Sequence, residues 1–336
     1  MNPHTSAFFR IASAIAIASV STSVLACASC GCTLSSDWES QGFTTKSGLK
    51  IDIRYDYLNQ DQLRHGSGTI SSADASQIVT STGDPQEVEK YTRNDYLTLG
   101  FDYTFNPDWG INVQVPYINR QHSTLGVNSN GTDPADGAYD SKTNSIGDVK
   151  VVGRYQGFTP QHNFGVMFGL KLATGSHTKT GVSTDPTAPG DSAAIDRGLQ
   201  PGSGTTDGIL GAYYYDTLNR DWDYFVQGTV QAALNSSDNF KPGTGYNFNM
   251  GLRYMGFAKV MPQIQLNARY VEHDTGANAD QTSTGGTLIY LSPGLVVPIT
   301  KQTSVYGFLQ VPIYQYVRGV QLTPRYTASI GARYSF

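Results

Sequence analysis

The feature that most constrains the fold of this chain is a strict two-residue alternation in its last eleven residues. From Tyr326 to Phe336, every second residue is apolar or aromatic, and the residues between them are polar or small. A period of two indicates a β-strand with one apolar face, and this strand is long enough to cross a bilayer at a tilt. If the apolar face meets lipid, every backbone polar group needs a partner, so the sheet has to close on itself.

The same alternation recurs along the chain and predicts about twelve strands. In the first of them, Leu49, Ile51 and Ile53 alternate with polar and charged residues. We therefore predict an all-β protein, a single closed antiparallel transmembrane β-barrel. The predicted strands are Gly48–Asn59, Tyr91–Phe105, Trp109–His122, Ser145–Gly157, His162–Thr174, Thr206–Thr217, Asp221–Leu234, Gly245–Phe257, Met261–His273, Gly286–Ile299, Thr303–Tyr316 and a last one from near Gln321 to the end.

The connections between these strands alternate in length. Short turns are predicted at 106–108, 159–161, 218–220, 258–260 and 300–302, and long polar loops at 60–90, 123–144, 175–205, 235–244 and 274–285. Only the short connection around Arg318 falls on the long-loop side. This asymmetry is typical of bacterial barrels, with short periplasmic turns and long extracellular loops. A soluble β-sandwich is the alternative, but it would not need such an alternation.

Composition agrees with a barrel and excludes other classes. The chain has 336 residues, with 21 Tyr and 36 Gly and only 15% charged residues, which suits a barrel with aromatic girdles. Beyond the amino terminus no apolar run is long enough for a membrane-spanning helix. A net charge of −4 argues against a nucleic-acid partner.

Residues 1–26 have the pattern of a secretory signal peptide. Arg10 precedes a short apolar stretch, and 24–26 is a suitable cleavage site. Alternatives are an amphipathic anchor helix that stays attached, or lipidation of Cys27. We therefore divide the chain into the signal peptide 1–26, a periplasmic cysteine-containing segment 27–47 and an outer-membrane barrel 48–336.

If the apolar faces point to lipid, the opposite faces line the barrel interior. Buried charges have to pair or be hydrated, so two interpretations stay open: a structural ladder of salt bridges, or a wetted pore whose charges select solutes. The candidate lumen-lining residues are Lys50, Asp52, Arg54, Asp56, Lys150, Arg154, Lys171, Asp223, Arg253, Arg269 and Arg333.

Cys27, Cys30 and Cys32 are the only cysteines in the sequence. Their C-x-x-C-x-C spacing allows a disulfide, lipidation of the first residue, or a soft metal or redox site. A haem attachment is excluded because Gly31 follows Cys30. The partner expected to bind this amino-terminal cysteine segment is a periplasmic protein.

Other patterns are less specific. Pro116, Pro293, Pro298 and Pro312 lie inside predicted strands, so we expect bulges or openings there, or strand ends at the membrane rim. Loop 128–140 has spaced carboxylates but lacks the closing Glu of an EF-hand, so it is read as a solvated loop rather than a calcium site. No spacing indicates a catalytic triad or a carboxylate pair, so no enzyme activity is predicted, and an outer-membrane hydrolase is only a third hypothesis.

The stretches 146–155, 164–175 and 199–207 carry glycine- and aspartate-containing motifs, and together these resemble the phenol-degradation MetA-pathway transporter family of outer-membrane proteins. Ile146–Tyr155 resembles its G-D-x-x-x-x-x-R-Y strand start, and Phe164–Gly175 is similar to its glycine-rich strand, with Ala173 in place of the usual Pro. Leu199–Asp207 resembles its Gly-Ser/Thr-Gly…Asp loop. The resemblance implies an outer-membrane channel, distantly similar to long-chain fatty-acid transporters.

The function predicted from these observations is an outer-membrane channel or transporter for small molecules, apolar or aromatic ones among them. The alternative is a structural barrel whose amino-terminal cysteines dock a periplasmic redox or metal partner. The expected partners are outer-membrane lipid, the solute and, because Phe336 resembles the terminal signal of such barrels, the barrel-assembly machinery. No cofactor is predicted apart from the soft metal considered for Cys27, Cys30 and Cys32.

Overall fold

The computed structural model describes residues 43–80, 83 and 85–336, and almost all of their regular structure is antiparallel sheet. A four-residue helix, α1 (Ser72–Ala75), and a 3₁₀ turn, Arg197–Leu199, lie in loops. No helix in the described ranges is both long and apolar enough to cross a membrane. The strands are β1 Gly48–Gly66, β2 Gly68–Thr69, β3 Glu89–Thr104, β4 Trp109–Thr124, β5 Tyr139–Ile146, β6 Val149–Tyr155, β7 Phe164–Leu172, β8 Thr180–Ser183, β9 Ser192–Ala194, β10 Asp207–Asn219, β11 Trp222–Ala233, β12 Gly245–Tyr254, β13 Met261–Val271, β14 Gly286–Pro298 and β15 Thr303–Ser335.

The sheet closes into a barrel, as predicted. β1 pairs with β3 on one edge and with the carboxyl-terminal half of β15 on the other, and every pairing is antiparallel. The wall runs β1–β3–β4–β6–β7–β10–β11–β12–β13–β14–β15 and back to β1, while β2, β5, β8 and β9 extend beyond it. Short connections lie on the side of the barrel where Gly48 and Phe336 meet, which we call the turn side. The opposite side, with long connections, is the loop side.

The wall has eleven strands rather than about twelve, because the last two predicted strands form the single 33-residue element β15. Residues 304–317 of β15 pair with β14, and residues 317–335 pair with β1. Gly319 between the two halves has φ 53°, and a Cβ on Gly307 would lie 3.6 Å from the backbone oxygen of Ser329. β15 therefore reverses direction near Gly319. The reversal is tight enough that residues on both sides of it remain part of one continuous strand element.

Two further expectations were wrong in detail. The predicted strand Ser145–Gly157 is interrupted at residues 147–148, because β5 ends at Ile146 and β6 begins at Val149. The predicted loops 60–90, 123–144 and 175–205 also contain β2, α1, β5, β8 and β9, and β1 continues to Gly66. Apolar side chains on the loop side stabilise these extensions by forming a small buried core of Leu63, Ala75, Val88, Leu125, Val320 and Leu322.

The outer face of the wall is apolar and is bounded by aromatic rings. Ile53, Leu97 and Leu210 are 50%, 47% and 66% exposed, as expected for side chains that meet lipid. Aromatic pairs cluster at the turn-side ends of the strands, where the membrane interface belongs. These pairs are Tyr103–Phe105, Trp109–Tyr155, Trp222–Tyr254 and Tyr334–Phe336, with ring centroids 4.7–5.0 Å apart.

The prolines coincide with irregular pairing. β4 pairs with β6 up to Gln114 and with β5 from Tyr117, so Pro116 lies where the partner changes. The β14–β15 register shifts at Pro312 and omits residues 292–293, which include Pro293, while Pro298 ends β14. Both a local interruption and a strand end therefore occur, because proline cannot donate to the ladder.

Candidate functional site

The predicted lumen-lining residues lie on the face of the wall opposite the lipid-facing residues. In β1, for example, Asp52 and Arg54 are 9% and 8% exposed, whereas Ile53 between them is 50% exposed. Lys150, Arg253 and Arg269 are half-buried. The buried members of the set are Lys50, Asp52, Arg54, Asp56, Arg154, Lys171, Asp223 and Arg333.

Charged side chains fill part of the turn-side half of the interior. Arg154 donates to both oxygens of Asp102, at 2.5 and 3.0 Å, and the Tyr306 hydroxyl lies 2.9 Å from both oxygens of Asp52. The space left among Lys50, Asp52, Arg54, Asp102 and Arg333 is about 10 Å³, which is room for one water molecule. These paired charged side chains form a charged layer, with the geometry expected for a structural ladder of salt bridges.

Two further ion pairs lock neighbouring positions on the inner face. Arg253 on β12 bonds Asp223 on β11 at 2.5 Å, and these two residues are paired across the strands. Arg54 and Asp56, two residues apart on β1, are joined at 2.8 Å. The Arg253–Asp223 pair supports the register of β11 and β12, whereas the Arg54–Asp56 pair neutralises charge within one strand, and removing either partner of a pair would leave a buried charge.

An aromatic cluster fills another part of the turn-side half. Phe43, only 6% exposed, packs its ring 4.7 Å from Tyr213, 5.5 Å from Phe225 and 6.0 Å from Tyr215. Tyr213 and Phe225 belong to the inner faces of β10 and β11, so residues 43–47 enter the barrel from the turn side. We call residues 43–47 the mouth segment.

Gln156 holds the mouth segment by its backbone. Its amide nitrogen donates to the carbonyl oxygens of Thr44 at 2.8 Å and Pro107 at 2.7 Å, while its amide oxygen accepts from the Tyr213 hydroxyl at 2.7 Å. Gln156 is 1% exposed, so every polar atom of its side chain is used. The mouth segment is therefore seated specifically and does not merely lie against the wall.

Toward the loop side the interior opens into a cavity of about 370 Å³. This volume lies in the range of pockets that hold small organic molecules. Its lining combines charged residues such as Arg120 and Arg269 with apolar residues such as Ile118, Met167 and Phe240. This cavity is the candidate functional site.

A loop from the loop side forms part of the cavity lining. Residues 197–205, which we call the insertion loop, contribute Arg197, Gln200 and Ser203 to it. Arg120 of β4 donates to the carbonyl oxygen of Gln200 at 3.2 Å. Arg197 bonds Asp238 of the next loop at 2.8 Å. The insertion loop is thus held by the wall and by a second loop.

Asp148 is the centre of the contacts that fix the insertion loop. Its carboxylate accepts from Lys171 Nζ at 2.9 Å, from the backbone of Gly175 at 3.0 Å and from the backbone of Ser203 at 3.0 Å. Lys171 also lies 3.2 Å from Asp207. The Asp148 cluster lies at the break between β5 and β6, at residues 147–148.

The three stretches that carry the family resemblance meet at this cluster. Asp148 belongs to the first, Lys171 and Gly175 to the second, and Ser203 and Asp207 to the third. The chains also approach closely, because a Cβ on the glycine at 202 would lie 2.4 Å from the backbone oxygen of Gly175. The motif residues therefore position the insertion loop over the cavity.

An amide belt lines the wall beside the cavity. Asn249 donates to Gln227 at 3.1 Å, Asn267 donates to Asn249 at 2.9 Å, and Ser292 donates to Asn267 at 2.6 Å. These residues lie on β11, β12, β13 and β14 in turn. The belt satisfies buried polar groups without charge and leaves them unavailable to anchor an ion.

Carboxylates gather at the loop-side end of the interior. Burial, followed by the nearby Asp280 carboxylate, raises the pKa of Asp274 to about 7 and that of Asp196 to about 6. Burial and the Asp196 carboxylate also raise the pKa of Glu87 well above its usual value. In the part of the chain that the structure describes, no three carboxylate, histidine or cysteine side chains are arranged to hold a metal ion.

The third hypothesis, a hydrolase, needs a nucleophile and a base that substrate can reach. The Thr92 hydroxyl lies 2.8 Å from Nδ1 of His122, but both residues are fully buried. Among the described residues, Nε2 of His122 has no hydrogen-bond partner, so no carboxylate orients the ring. This pair lacks the access and the third group that a triad uses.

Other predicted features lie elsewhere. Cys27, Cys30 and Cys32, the signal peptide and most of segment 27–47 are outside the described residues, so these interpretations stay predictions. In loop 128–140, Asn128 donates to Asp136 at 2.9 Å and Asn130 donates to Asp133 at 2.8 Å. These carboxylates are bonded within their own loop.

Sequence reasoning missed several residues of the interior. Asp102, Arg120, Met167, Tyr213 and Phe225 all have the strand parity of the polar face, so parity alone would have found them. Apolar residues on that face were the overlooked signal of the aromatic cluster. Arg197 and Phe43 lie outside the strands and had no such signal.

The fold is similar to that of known outer-membrane proteins. The chain superimposes on the COG4313 outer membrane channel from Pseudomonas putida F1 with a TM-score of 0.60 and 11% identity, covering 87% of this chain and 97% of that one. Similarity is weaker to CymD, a monoaromatic hydrocarbon channel (TM-score 0.46, 10% identity, 88% of this chain and 90% of that one). The Ralstonia pickettii toluene transporter TbuX gives a TM-score of 0.45 at 12% identity, with 87% and 90% of the chains covered.

No family model and no curated protein sequence matches this chain significantly. Membership of the MetA-pathway family therefore stays a prediction. The first similarity and the closed barrel establish the fold of an outer-membrane β-barrel, and the outer membrane is the location of this protein.

Proposed function

We propose that this protein is an outer-membrane channel for small molecules, apolar or aromatic compounds among them, and not an enzyme. The observation that carries the proposal is the cavity of about 370 Å³ inside a barrel whose outer face is apolar. A barrel filled only by side chains would have no such space. The protein with the most similar fold reported above is described as an outer membrane channel, which supports the same role.

The path runs from the loop side through the cavity and past the mouth segment to the turn side. The cavity is lined by the insertion loop and by inner-face residues of the wall. On the turn side the charged layer and the Phe43 cluster narrow the lumen. Passage therefore requires the mouth segment to leave its seat, while the outer wall stays closed by its hydrogen bonds.

Electrical recording from purified protein in planar lipid bilayers tests the proposal. We expect stepwise conductance, and a lower step for Thr229→Trp, since Thr229 lines the cavity. The matched control is Val230→Trp, because the neighbouring side chain is 38% exposed on the lipid face and should not affect the pore. Absence of conductance both in the unmodified protein and in a variant that lacks the Phe43 ring would overturn the channel role.

A further inference from the structure

The charges around the cavity are unequal. Among its lining residues six are basic and only three are acidic, Asp148, Asp207 and Asp274. Two of these carboxylates are already engaged, since Asp148 and Asp207 lie 2.9 and 3.2 Å from Lys171. The basic lining residues are Arg54, Arg120, Lys150, Lys171, Arg197 and Arg269.

Arg269 is the basic residue best placed to meet a solute. It lies on the inner face of β13, and its Nη1 donates to the neutral amide oxygen of Asn247 at 2.6 Å. Among the described residues no carboxylate is paired with Arg269. A Cβ at Gly245 would lie 3.2 Å from its Nη2, so the glycine leaves space around the guanidinium group. A guanidinium in this position presents donors that match a carboxylate.

The same cavity has an apolar surface on another part of the wall. Val152 of β6 and Ile209 of β10 are both paired with Gly169 of β7, which has no side chain to separate them. Met167 of β7 lines the cavity beside them. A solute that satisfies the whole cavity therefore has an apolar body and one negative charge.

We infer that the cavity selects small organic anions with an apolar body, such as aromatic monocarboxylates, and that Arg269 contacts the carboxylate. The inference rests on the proposed channel function and narrows its solute class. A neutral hydrocarbon would leave the guanidinium of Arg269 without a counter-charge in a partly desolvated site, and an organic cation would be repelled by it.

Recording with a potassium chloride gradient gives the permeability ratio of chloride over potassium. Benzoate, neutral benzamide and cationic benzylamine are then added in turn as competing solutes. We expect a ratio above one and block of the current by benzoate at concentrations where benzamide and benzylamine have no effect. Arg269→Gln should lower both the ratio and the affinity for benzoate by about fivefold, the factor for one unit charge at about 4 Å in water.

The control variant is Arg325→Gln, because Arg325 is exposed and pairs with Asp61 away from the cavity. It should leave both readouts unchanged. A conducting protein that prefers potassium, or that responds equally to benzoate and benzamide, would overturn the inference and leave the channel role intact. A protein without any conductance, with or without Phe43, would overturn the channel role itself.

Discussion

Replacing Phe43 by alanine is expected to open the turn side of the barrel. Phe43 is 6% exposed and contacts three inner-face rings, of Tyr213, Tyr215 and Phe225. Besides these ring contacts, the mouth segment is held by the hydrogen bond that the Gln156 amide nitrogen donates to the carbonyl oxygen of Thr44. The aromatic ring is therefore the main source of the stability of the seated state.

The size of the effect follows from the burial of the ring. Removing a buried phenyl group costs about 3 kcal/mol or more where the surroundings cannot collapse. The seat cannot collapse, because its walls are strands of a closed barrel. A loss of about 3 kcal/mol corresponds to roughly two orders of magnitude in the ratio of unseated to seated protein. The conformational entropy that the mouth segment loses when it is ordered opposes the seated state. The unmodified protein therefore has only a modest preference for the seated over the unseated state.

Single-channel recording measures this ratio as the fraction of time spent at the open level. We expect Phe43→Ala to increase open time strongly, with an unchanged conductance per step because the cavity is not altered. Phe105→Ala is the matched control, since the Phe105 ring is 57% exposed on the outside of the turn-side rim. If Phe43→Ala and the unmodified protein have the same open fraction, residues 43–47 do not close the lumen and this reasoning is refuted.

Three further changes test other parts of the interior. Asp102→Ala leaves the buried guanidinium of Arg154 without its carboxylate, so we expect the free energy of unfolding, measured in urea, to fall by about 3–5 kcal/mol. A second change, Arg154→Met, should restore most of this stability. Equal stability of the single and double variants would contradict the expectation. Asp148→Asn keeps the size of the side chain but weakens its bonds to Ser203 and Lys171. We therefore expect the insertion loop to become sensitive to protease and the single-channel current to become noisier. An unchanged digestion pattern would count against the role of Asp148 in anchoring the loop. Burial and the Asp280 carboxylate raise the pKa of Asp274 to about 7, so it is largely neutral at pH 5 and gains a negative charge as the pH rises through 7. Because this pKa is higher than in the unfolded chain, the contribution of Asp274 to stability is complete below about pH 4 and is lost as the pH rises to about 7. The chloride preference should therefore fall between about pH 6 and pH 8 in the unmodified protein but not in Asp274→Asn, and parallel pH curves for the two proteins would refute the assignment.

Much of the wall was predictable because the information for it is local. Alternation places Ile53 outside and Arg54 inside without knowledge of any neighbour, since successive side chains of a strand point to opposite faces. The same parity identifies β-strand bounds to within a few residues, as at Gly48, Trp109 and Gly286. The apolar outer face and the closure of the sheet follow from it, because lipid cannot satisfy backbone groups.

The candidate site depended on segments that alternation does not describe. The insertion loop was predicted only as a polar connection, and its place in the cavity results from the bonds of Asp148 to Lys171 and Ser203. These residues are 23 and 55 positions apart from Asp148 in the chain. No local pattern indicates which carboxylate will receive which donor.

The sequence by itself determined that the chain forms a lipid-facing barrel with charged and polar side chains inside, because a two-residue period has one physical meaning in a membrane. Only the tertiary structure decided how that interior is filled: ion pairs and Phe43 on the turn side, and a basic cavity beneath the insertion loop on the other. The reason is that a lumen is built by residues far apart in the chain, so its volume and charge balance appear only when the strands and loops have met.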